Sequence, residues 1–393
     1  MKTIPLSPVD HIFTGVGSYP IEFIFAYDYC IEAARLQQSL DKTLEHFSPL
    51  RSRLIRIADH TYGFQSTEAA LTIDEAHSSS AFVDSQDVSA FLNCVQTIEG
   101  EPLARIKLTQ TPEGSVLGIS ISHALADGFS FFHFLSSWAR IFQSQPIMSP
   151  AHERVLLIPE VSDRHHNVTT EDVFNRCGLF WDEKRRSTPR DQITWDKMSL
   201  SRAELNHMIA EAQKECGIRL SHNDVITAYL WQNCITAWGQ GEDNPSTYIA
   251  CPVDFRRILD TLPNTYFGSA VCIATAMIDL ESLVASSLGE LASLVRKAVG
   301  QVNSDYVRES LRTLEGLRHQ HGLAVLEEIH VMHPRHGLLV TNLTRLPIQE
   351  LDFGSGIPAK FEIQTAAARG AVILPAPDGV DVRIYPPPGA DRE

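Results

Sequence analysis

The order of apolar and polar positions around residue 120 predicts a strand, a turn and a helix. Leu117, Ile119 and Ile121 alternate with glycine and serine, a period of two that is typical of a strand with one apolar face and one face of small residues. After residue 128, large apolar residues recur at helical spacing, at Phe131, Phe134, Leu135, Trp138, Ile141 and Phe142. The stretch therefore predicts a buried strand that enters a tight turn and leaves it as an amphipathic helix.

The pattern also predicts strands and helices earlier in the chain. We expect a strand at 23–27 and then a helix with Leu36, Leu40 and Leu44 on one face. A further strand is predicted to start near residue 50, because the proline at position 49 cannot continue the helix.

In the second half of the chain, Ser201 and Ser221 have the sequence context of helix N-caps. The helix after Ser221 is apolar almost all round, so it should be buried between layers. We predict one amphipathic helix over 281–302 and more helix over 304–328. Strands are predicted near 193–198, 249–255, 338–342, 371–374 and 380–385.

The hydrophobic pattern weakens between residues 151 and 190. A chain of 393 residues is long enough for two domains. We therefore predict a first domain at 1–150, a connection at 151–190 and a second domain at 191–393.

The composition describes an ordinary soluble globular protein, with 44% hydrophobic and 21% charged residues. The net charge of −15, from 33 basic and 48 acidic residues, argues against nucleic-acid binding, which needs a basic face. We find no signal peptide and no apolar run of membrane-spanning length. The seven cysteines are odd in number and scattered, which predicts reduced thiols in a cytoplasmic protein. We also expect the protein to be a monomer.

The turn after the central strand carries the first candidate for catalysis. It reads His123-Ala-Leu-Ala-Asp127-Gly128. Histidine is the side chain best suited to moving a proton near neutral pH, and the carboxylate four residues later can organise its surroundings. We expect Gly128 to permit the bend. The motif alone is weak, and its context between strand and helix strengthens it.

Two other stretches have the residue types of a phosphate site. The basic run Lys184, Arg185 and Arg186 could contact phosphate, or it could be a solvated charged face. The turn at 352–356 is rich in glycine but lacks the Lys-Ser/Thr of a P-loop, so we predict a structural turn there.

Histidines occur twice at close spacing, at His165-His166 and at His330, His333 and His336. Adjacent histidines in extended chain point in different directions, and a proline interrupts the helix that would align the other three. We therefore expect no metal site.

Taken together, two motifs resemble those of the BAHD acyltransferases, a large family of acyl-CoA-dependent O- and N-acyltransferases. The first is His123 to Gly128, and the second is Asp352-Phe-Gly-Ser-Gly356, similar to the family's Asp-Phe-Gly-Trp-Gly. Further stretches that resemble the family occur in the family's order, at 6–10, 36–54, 221–231, 253–256 and 266–268. The likeness spans nearly the whole chain.

The resemblance implies an α/β fold of two chloramphenicol-acetyltransferase-like domains with mixed sheets, and an active-site channel at their interface. Acyl-CoA would enter this channel from one side as a co-substrate, and a small-molecule acceptor would enter from the other. No tightly bound cofactor is implied.

The resemblance also implies a role for each motif residue. His123 would be the general base, Asp127 would support the structure by pairing with Arg256, and Thr341 would help to hold the oxyanion. The motif residues Gly128, Asp352, Gly354 and Gly356 would support the fold. The basic run Lys184 to Arg186 is a candidate for contact with CoA.

The chain departs from the family pattern at several positions. Ser355 and Leu343 stand where the family has tryptophans, and Ser269 stands where it usually has asparagine. Leu343 should make the acceptor pocket wider and less aromatic. No closing helix is predicted after Tyr385.

Two alternatives remain at this point. The donor could be bound to a carrier protein, although condensation domains have a second histidine where this chain has Ser122. The protein could also be an inactive ligand-binding pseudoenzyme, since two family tryptophans are missing.

Overall fold

The computed structural model describes residues 3–14, 18–82, 89–160, 165–182, 193–239, 246–365 and 367–390. Within them the strands are β1 (Thr3–Pro5), β2 (Ile21–Tyr27), β3 (Ser52–Ala58), β4 (Thr61–Ser66), β5 (Ile73–His77), β6 (Ala104–Thr111), β7 (Gly114–Ile121), β8 (Phe180–Trp181), β9 (Asp196–Ser201), β10 (Ser246–Asp254), β11 (Val271–Asp279), β12 (Ile329–His330), β13 (Gly337–Asn342), β14 (Lys360–Ile363), β15 (Gly370–Ala376) and β16 (Gly379–Tyr385). The α-helices there are α1 (Pro8–Ile12), α2 (Ala33–His46), α3 (Gly128–Phe142), α4 (Thr170–Cys177), α5 (Arg202–Cys216), α6 (His222–Trp238), α7 (Leu280–Ala285), α8 (Leu288–Gln301) and α9 (Ser304–His321).

Strand β7 is the centre of a sheet with the order β14-β2-β7-β6-β5, and all of its residues are buried. Its face of small residues is covered by the segment 91–95. A Cβ on Gly118 would come within 1.9 Å of the Phe91 carbonyl oxygen, so only glycine fits there. The Ser120 hydroxyl accepts a hydrogen bond from the Val95 backbone N–H at 2.9 Å. Both faces of β7 are therefore packed, and the alternation of large and small residues fits the strand to its two neighbouring layers.

The second large sheet of the described residues has the order β11-β10-β13-β15-β16-β9. In it β13 runs parallel to both of its neighbours, and the other neighbouring strands are antiparallel. Two small sheets, β1-β4-β3 and β12-β8, complete the strand pairing. The predicted α/β fold with mixed sheets is confirmed.

A strand from the second half of the chain completes the first sheet. Strand β14 pairs antiparallel with β2. On its other side, Arg383 of β16 donates hydrogen bonds to the Glu362 carboxylate and to the Ile363 carbonyl. The two large sheets are thus connected through β14. The domain boundaries near residues 150 and 190 stay a prediction.

Local sequence signals define most helix starts. Serine or threonine accepts a hydrogen bond from the N3 backbone N–H, and the N3 side chain returns one, at Ser7, Thr169, Ser201, Ser221 and Ser287. The two predicted caps are therefore confirmed.

The single helix predicted over 281–302 is wrong. Helix α7 ends at Ala285, and Ser287 caps a new helix, α8, through the backbone N–H of Glu290. The helix predicted over 304–328 consists of α9, which ends at His321, and a 3-10 helix at Leu323–Glu327. Gly322 separates the two with a φ of 71°.

Two strand and loop predictions also change. The strand predicted from residue 50 begins at Ser52, after a 3-10 turn at Ser48–Arg51. The predicted connection at 151–190 contains the helix α4, which packs against α9, and the short strand β8. None of the described helices is long and apolar enough to cross a lipid bilayer.

Candidate active site

A cavity of about 710 Å³ lies between the two large sheets. Strand β2 and helix α3 contribute to one side, and strands β10, β13 and β15 to the other. Its walls are mostly apolar, with a few polar groups that include His123, Thr341 and Asn223. This combination of size and lining is typical of a small-molecule site.

His123 lies in the turn between β7 and α3 and lines the cavity. The Phe13 ring stacks on the imidazole at a centroid distance of 3.9 Å and an interplanar angle of 16°. The Tyr19 ring is nearly perpendicular to the imidazole, at an interplanar angle of 84° and a centroid distance of 6.2 Å. The Nδ1 atom of His123 is buried and has no hydrogen-bond partner among the described residues.

Burial among these side chains lowers the pKa of His123 to about 4. The Asp127 charge and the backbone carbonyl of His123 oppose the shift without cancelling it. The imidazole is therefore neutral at physiological pH, as a proton acceptor must be.

Asp127 caps α3 and forms a buried ion pair with Arg256. One of its carboxylate oxygens accepts hydrogen bonds from the Ser130 backbone N–H and from Arg256, both at 2.9 Å. The other oxygen lies 2.7 Å from Arg256 Nη1 and accepts from the Ala270 N–H at 2.9 Å. Burial alone would raise the pKa of Asp127, but the Arg256 charge and these hydrogen bonds hold it below its usual value. The pairing predicted between Asp127 and Arg256 is present in the structure.

Arg256 reaches beyond the aspartate. It donates to the carbonyls of Tyr266 and Gly268, at 3.0 and 2.9 Å. The ion pair therefore ties the start of α3 to the segment that precedes β11.

Gly128 has a different role from the one predicted. It is the first residue of α3 and does not have a positive φ, so the bend does not depend on it. A Cβ at this position would meet no atom within 4 Å. Because Gly128 lines the cavity, its lack of a side chain leaves that part of the cavity open.

A second buried ion pair also holds the turn that carries His123. Asp10 accepts from Arg154 Nε at 3.1 Å and from the Ser269 backbone N–H at 3.2 Å. Arg154 donates to the Leu125 carbonyl at 2.7 Å, and the Ser269 hydroxyl donates to the His123 carbonyl at 2.8 Å. These contacts immobilise the backbone of the turn on both sides of the motif histidine.

The roles of Asp10 and Arg154 were not predicted from the sequence. The Ser7 to Asp10 spacing is that of a capping box and could have predicted a helix start there. Arg154 has no comparable local signal, because its partners lie far away in the chain.

Thr341 lies near the end of β13 and lines the cavity, as does Leu343 two residues later. The Asn342 amide donates to the Asn223 side chain at the start of α6, at 2.8 Å. This contact joins the end of β13 to the helix N-terminus on the same cavity wall.

The glycine-rich turn at 352–356 does not line the cavity. Phe353 is buried and packs edge-on against Trp138 of α3, at 5.1 Å between ring centroids. The Asp352 carboxylate accepts from the backbone N–H groups of Gly354 and Gly356, at 2.7 and 3.0 Å. The turn therefore anchors the second half of the chain on the first, as a structural motif would.

We expect Gly354→Ala to lower the free energy of unfolding by about 1–3 kcal/mol, without changing KM for either substrate. Gly354 has a φ of 112°, and an added Cβ would lie 3.1 Å from the Phe142 ring. Urea unfolding and steady-state kinetics would measure both quantities. The matched control is Ser355→Trp, which restores the family residue at an exposed position and should change stability by less than about 0.5 kcal/mol. A changed acceptor KM in either variant would contradict the structural role.

The remaining candidate residues are a basic run and two groups of histidines. The basic run Lys184, Arg185 and Arg186 lies outside the described residues. Within the part of the chain that is described, no three His, Cys, Asp or Glu side chains come together as metal ligands. His333 instead stacks on Tyr248, with ring centroids 4.7 Å apart.

The chain is similar in sequence to plant acyltransferases. It is 28% identical to hydroxycinnamoyltransferase 2 of Oryza sativa subsp. japonica over 368 residues, which cover 88% of this chain and 82% of the rice protein. It is also 28% identical to a hydroxycinnamoyl-CoA:5-hydroxyanthranilate N-hydroxycinnamoyltransferase of Avena sativa over 373 residues, covering 89% and 82% of the two chains.

Solved structures share the fold at low sequence identity. F. graminearum TRI101, in complex with coenzyme A and deoxynivalenol, superposes with a TM-score of 0.79 and 13% identity over 98% of this chain and 95% of that one. Vinorine synthase gives a TM-score of 0.72 and 19% identity over 98% and 90%.

The family resemblance inferred from the motifs is also tested directly. A family model described as Transferase family matches residues 1–386, nearly the whole chain. The chain belongs to this family, the BAHD acyl-CoA-dependent acyltransferases.

Proposed function

We propose that this protein transfers the acyl group of an acyl-CoA to a hydroxyl or amine of a small specialised-metabolite acceptor, with His123 as general base. One observation carries the assignment of the base: a neutral imidazole forms part of the wall of a large apolar cavity. Relatives named for hydroxycinnamoyl-CoA and 5-hydroxyanthranilate support a bulky acyl group and a small acceptor.

The reaction needs one proton acceptor that can return its proton. We assign the proton of the neutral His123 ring to Nδ1, which is buried, and the basic lone pair to Nε2. The acceptor oxygen or nitrogen bonds to the thioester carbonyl carbon as its proton passes to Nε2. The tetrahedral intermediate then breaks its C–S bond, and the CoA thiolate leaves with the proton from His123.

The charge on the tetrahedral intermediate needs a donor. We assign this role to the Thr341 hydroxyl, which lines the same cavity at the end of a rigid strand. A preorganised donor in a water-poor site stabilises an oxyanion by a few kcal/mol. The basic run Lys184 to Arg186 remains our candidate for contact with the CoA phosphates.

Ligand-induced thermal stabilisation tests the donor assignment. CoA at a hundred times its dissociation constant should stabilise the protein by about 2.7 kcal/mol. We expect acetyl-CoA, hexanoyl-CoA and p-coumaroyl-CoA to give different shifts, because the acyl group enters the cavity. No shift with any of them would favour a carrier-bound donor. A shift without product from any hydroxyl or amine acceptor would favour a ligand-binding pseudoenzyme.

The pH dependence of kcat/KM should have its acidic limb near pH 4, because burial lowers the pKa of His123 to about 4. The active form is neutral, so activity is lost as pH falls through that value, whereas an ordinary imidazole would already be half protonated at about pH 6.5. Between about pH 4 and about pH 6.5, His123 binds more protons in the unfolded chain than in the folded protein. The contribution of His123 to the free energy of unfolding therefore rises with pH over this range. A limb near pH 6.5 in native enzyme would contradict the assigned burial.

We further propose a cytoplasmic monomer of two domains that needs no tightly bound cofactor and binds neither nucleic acid nor membrane. The acidic net charge of −15 and the free cysteines among the described residues support this proposal. Light scattering of the purified protein would measure its mass directly.

A further inference from the structure

The Phe13–His123 stack is the closest aromatic contact of the catalytic turn. The two rings are nearly parallel and 3.9 Å apart, so Phe13 covers one whole face of the imidazole. Phe13 is only 7% exposed although it lines the cavity. Water therefore has no access to His123 from that side.

Phe13 is held in place by the short helix α1, of which it is the C-cap. Ser7 and Asp10 cap the helix reciprocally, and Asp10 is fixed by the second buried ion pair. His11 of the same helix contacts the Ser7 carbonyl at 2.8 Å and accepts from the Tyr62 N–H at 3.0 Å. Burial lowers the pKa of His11 well below its usual value, so it stays neutral in this role. The backbone that carries Phe13 is thus rigidly attached to the rest of the protein.

We propose that Phe13 is a positioning residue for His123, whose ring holds the imidazole in one orientation against the cavity wall and excludes water from one of its faces. This inference rests on the proposed function of His123 as the general base. Helix α1 then acts on the turn that carries His123 at two points. One is the stacked Phe13 ring. The other is Ser269, whose backbone N–H donates to Asp10 and whose hydroxyl donates to the His123 carbonyl.

Among the described residues, Asp127 is the charged group that acts on the pKa of His123. His222 of α6, Asp254 of β10 and Arg345 line the same cavity. Asp127 lies on the same turn as His123 and is neutralised by Arg256. The Tyr19 ring is nearly perpendicular to the imidazole, and Asp10 acts through Ser269 and is paired with Arg154. Since the charges of Asp127 and Asp10 are paired, removing the Phe13 ring should act mainly by admitting water to the imidazole.

The test is Phe13→Leu, which keeps an apolar side chain but removes the stacked ring. We expect the acidic limb of kcat/KM to move up by at least one pH unit from about 4 towards the ordinary imidazole value. We also expect kcat to fall about tenfold, since a loosely held base is less often in reactive geometry, with KM for acyl-CoA unchanged. The histidine Cε1–H NMR titration, assigned by comparison with His123→Gln, should show the same rise in pKa without relying on turnover.

Phe132→Leu is the matched control, because Phe132 also lines the cavity but packs on Phe23 at 5.1 Å. Its acidic limb should stay where it is in the native enzyme. Phe13→Tyr keeps the stack and should retain the native limb, and Phe13→Met replaces Phe13→Leu if the latter does not fold.

The outcomes separate the two proposals. If His123→Ala abolishes transfer but Phe13→Leu keeps the native limb, NMR pKa and kcat, the positioning role is wrong. A loss of thermal stability alone in Phe13→Leu would also overturn it, since that is what a purely structural residue gives. If His123→Ala is fully active, the general-base assignment fails first, whatever Phe13→Leu does.

Discussion

Replacing His123 with alanine is expected to lower kcat by about 100- to 10,000-fold, the usual contribution of a positioned general base. The variant loses the cavity-lining imidazole whose pKa burial lowers to about 4. Initial rates of acyl-CoA consumption, followed as free thiol, would measure the loss. The residual rate should no longer depend on pH near pH 4.

Binding should survive the same substitution. The acyl-CoA site draws on the apolar walls of the cavity, and the His123 ring is a small part of them. Titration calorimetry with CoA should therefore give a dissociation constant within about threefold of the native one, well under the 1.4 kcal/mol that a tenfold change represents. Native turnover in His123→Ala would rule out the general-base role. Loss of CoA binding along with turnover would mean that the turn has collapsed, and His123→Gln would then be the fairer variant.

Breaking the Asp127–Arg256 pair should have the largest effect on stability. Both side chains are buried, at 5% and 3% exposure. Asp127→Asn keeps the shape of the side chain but leaves the Arg256 guanidinium with the half-exposed Asp254 as its nearest charged partner. We expect a loss of about 3–5 kcal/mol in the free energy of unfolding, the usual result of removing one partner of a buried pair.

Most of this loss in the free energy of unfolding should come from the unpaired charge of Arg256, and a double variant can test that. Asp127→Asn combined with Arg256→Met removes both charges and should recover part of the loss. The matched control is Glu350→Gln, which breaks the exposed pair between Glu350 and Arg140 and should cost less than about 1 kcal/mol. Guanidinium unfolding of the four proteins would compare them. A loss in Asp127→Asn as small as that of the control would show that the pair contributes little.

The same pair carries a pH dependence with a definite sign. The pKa of Asp127 is lower in the folded protein than in the unfolded chain, because Arg256 and the backbone N–H groups of Ser130 and Ala270 outweigh its burial. Its contribution to stability is therefore present above the ordinary aspartate pKa and is lost as pH falls through the lowered value.

The strand, turn and helix around His123 could be predicted from the sequence because their signals are local. The alternation before residue 122 and the helical spacing after 128 each lie within one element. The caps at Ser201 and Ser221 were likewise found, since a capping box is complete within four residues. The break between α7 and α8 was missed because apolar spacing continues through it, although Ser287 and Glu290 form the same box.

Contacts between distant segments could not be predicted in the same way. Nothing in the local sequence of 360–363 says that this strand joins β2, more than 300 residues earlier. Arg154 similarly gives no sign that it will bond to Asp10 and to the Leu125 carbonyl. Such partners are chosen by how whole elements pack, and periodicity carries no information on that choice.

The motifs at 123–128 and 352–356, together with further stretches in the family's order, were enough to predict the family from the sequence. Both are short turns whose residue types are dictated by local chemistry, a proton acceptor in one and positive φ at glycines in the other. The tertiary structure alone decided the surroundings of His123. The Phe13 ring stacks on His123, Ser269 bonds to the His123 carbonyl, and Arg154 bonds to the Leu125 carbonyl of the same turn. A pKa reflects the solvent and charges around a group in space, and those surroundings exist only after the chain has folded.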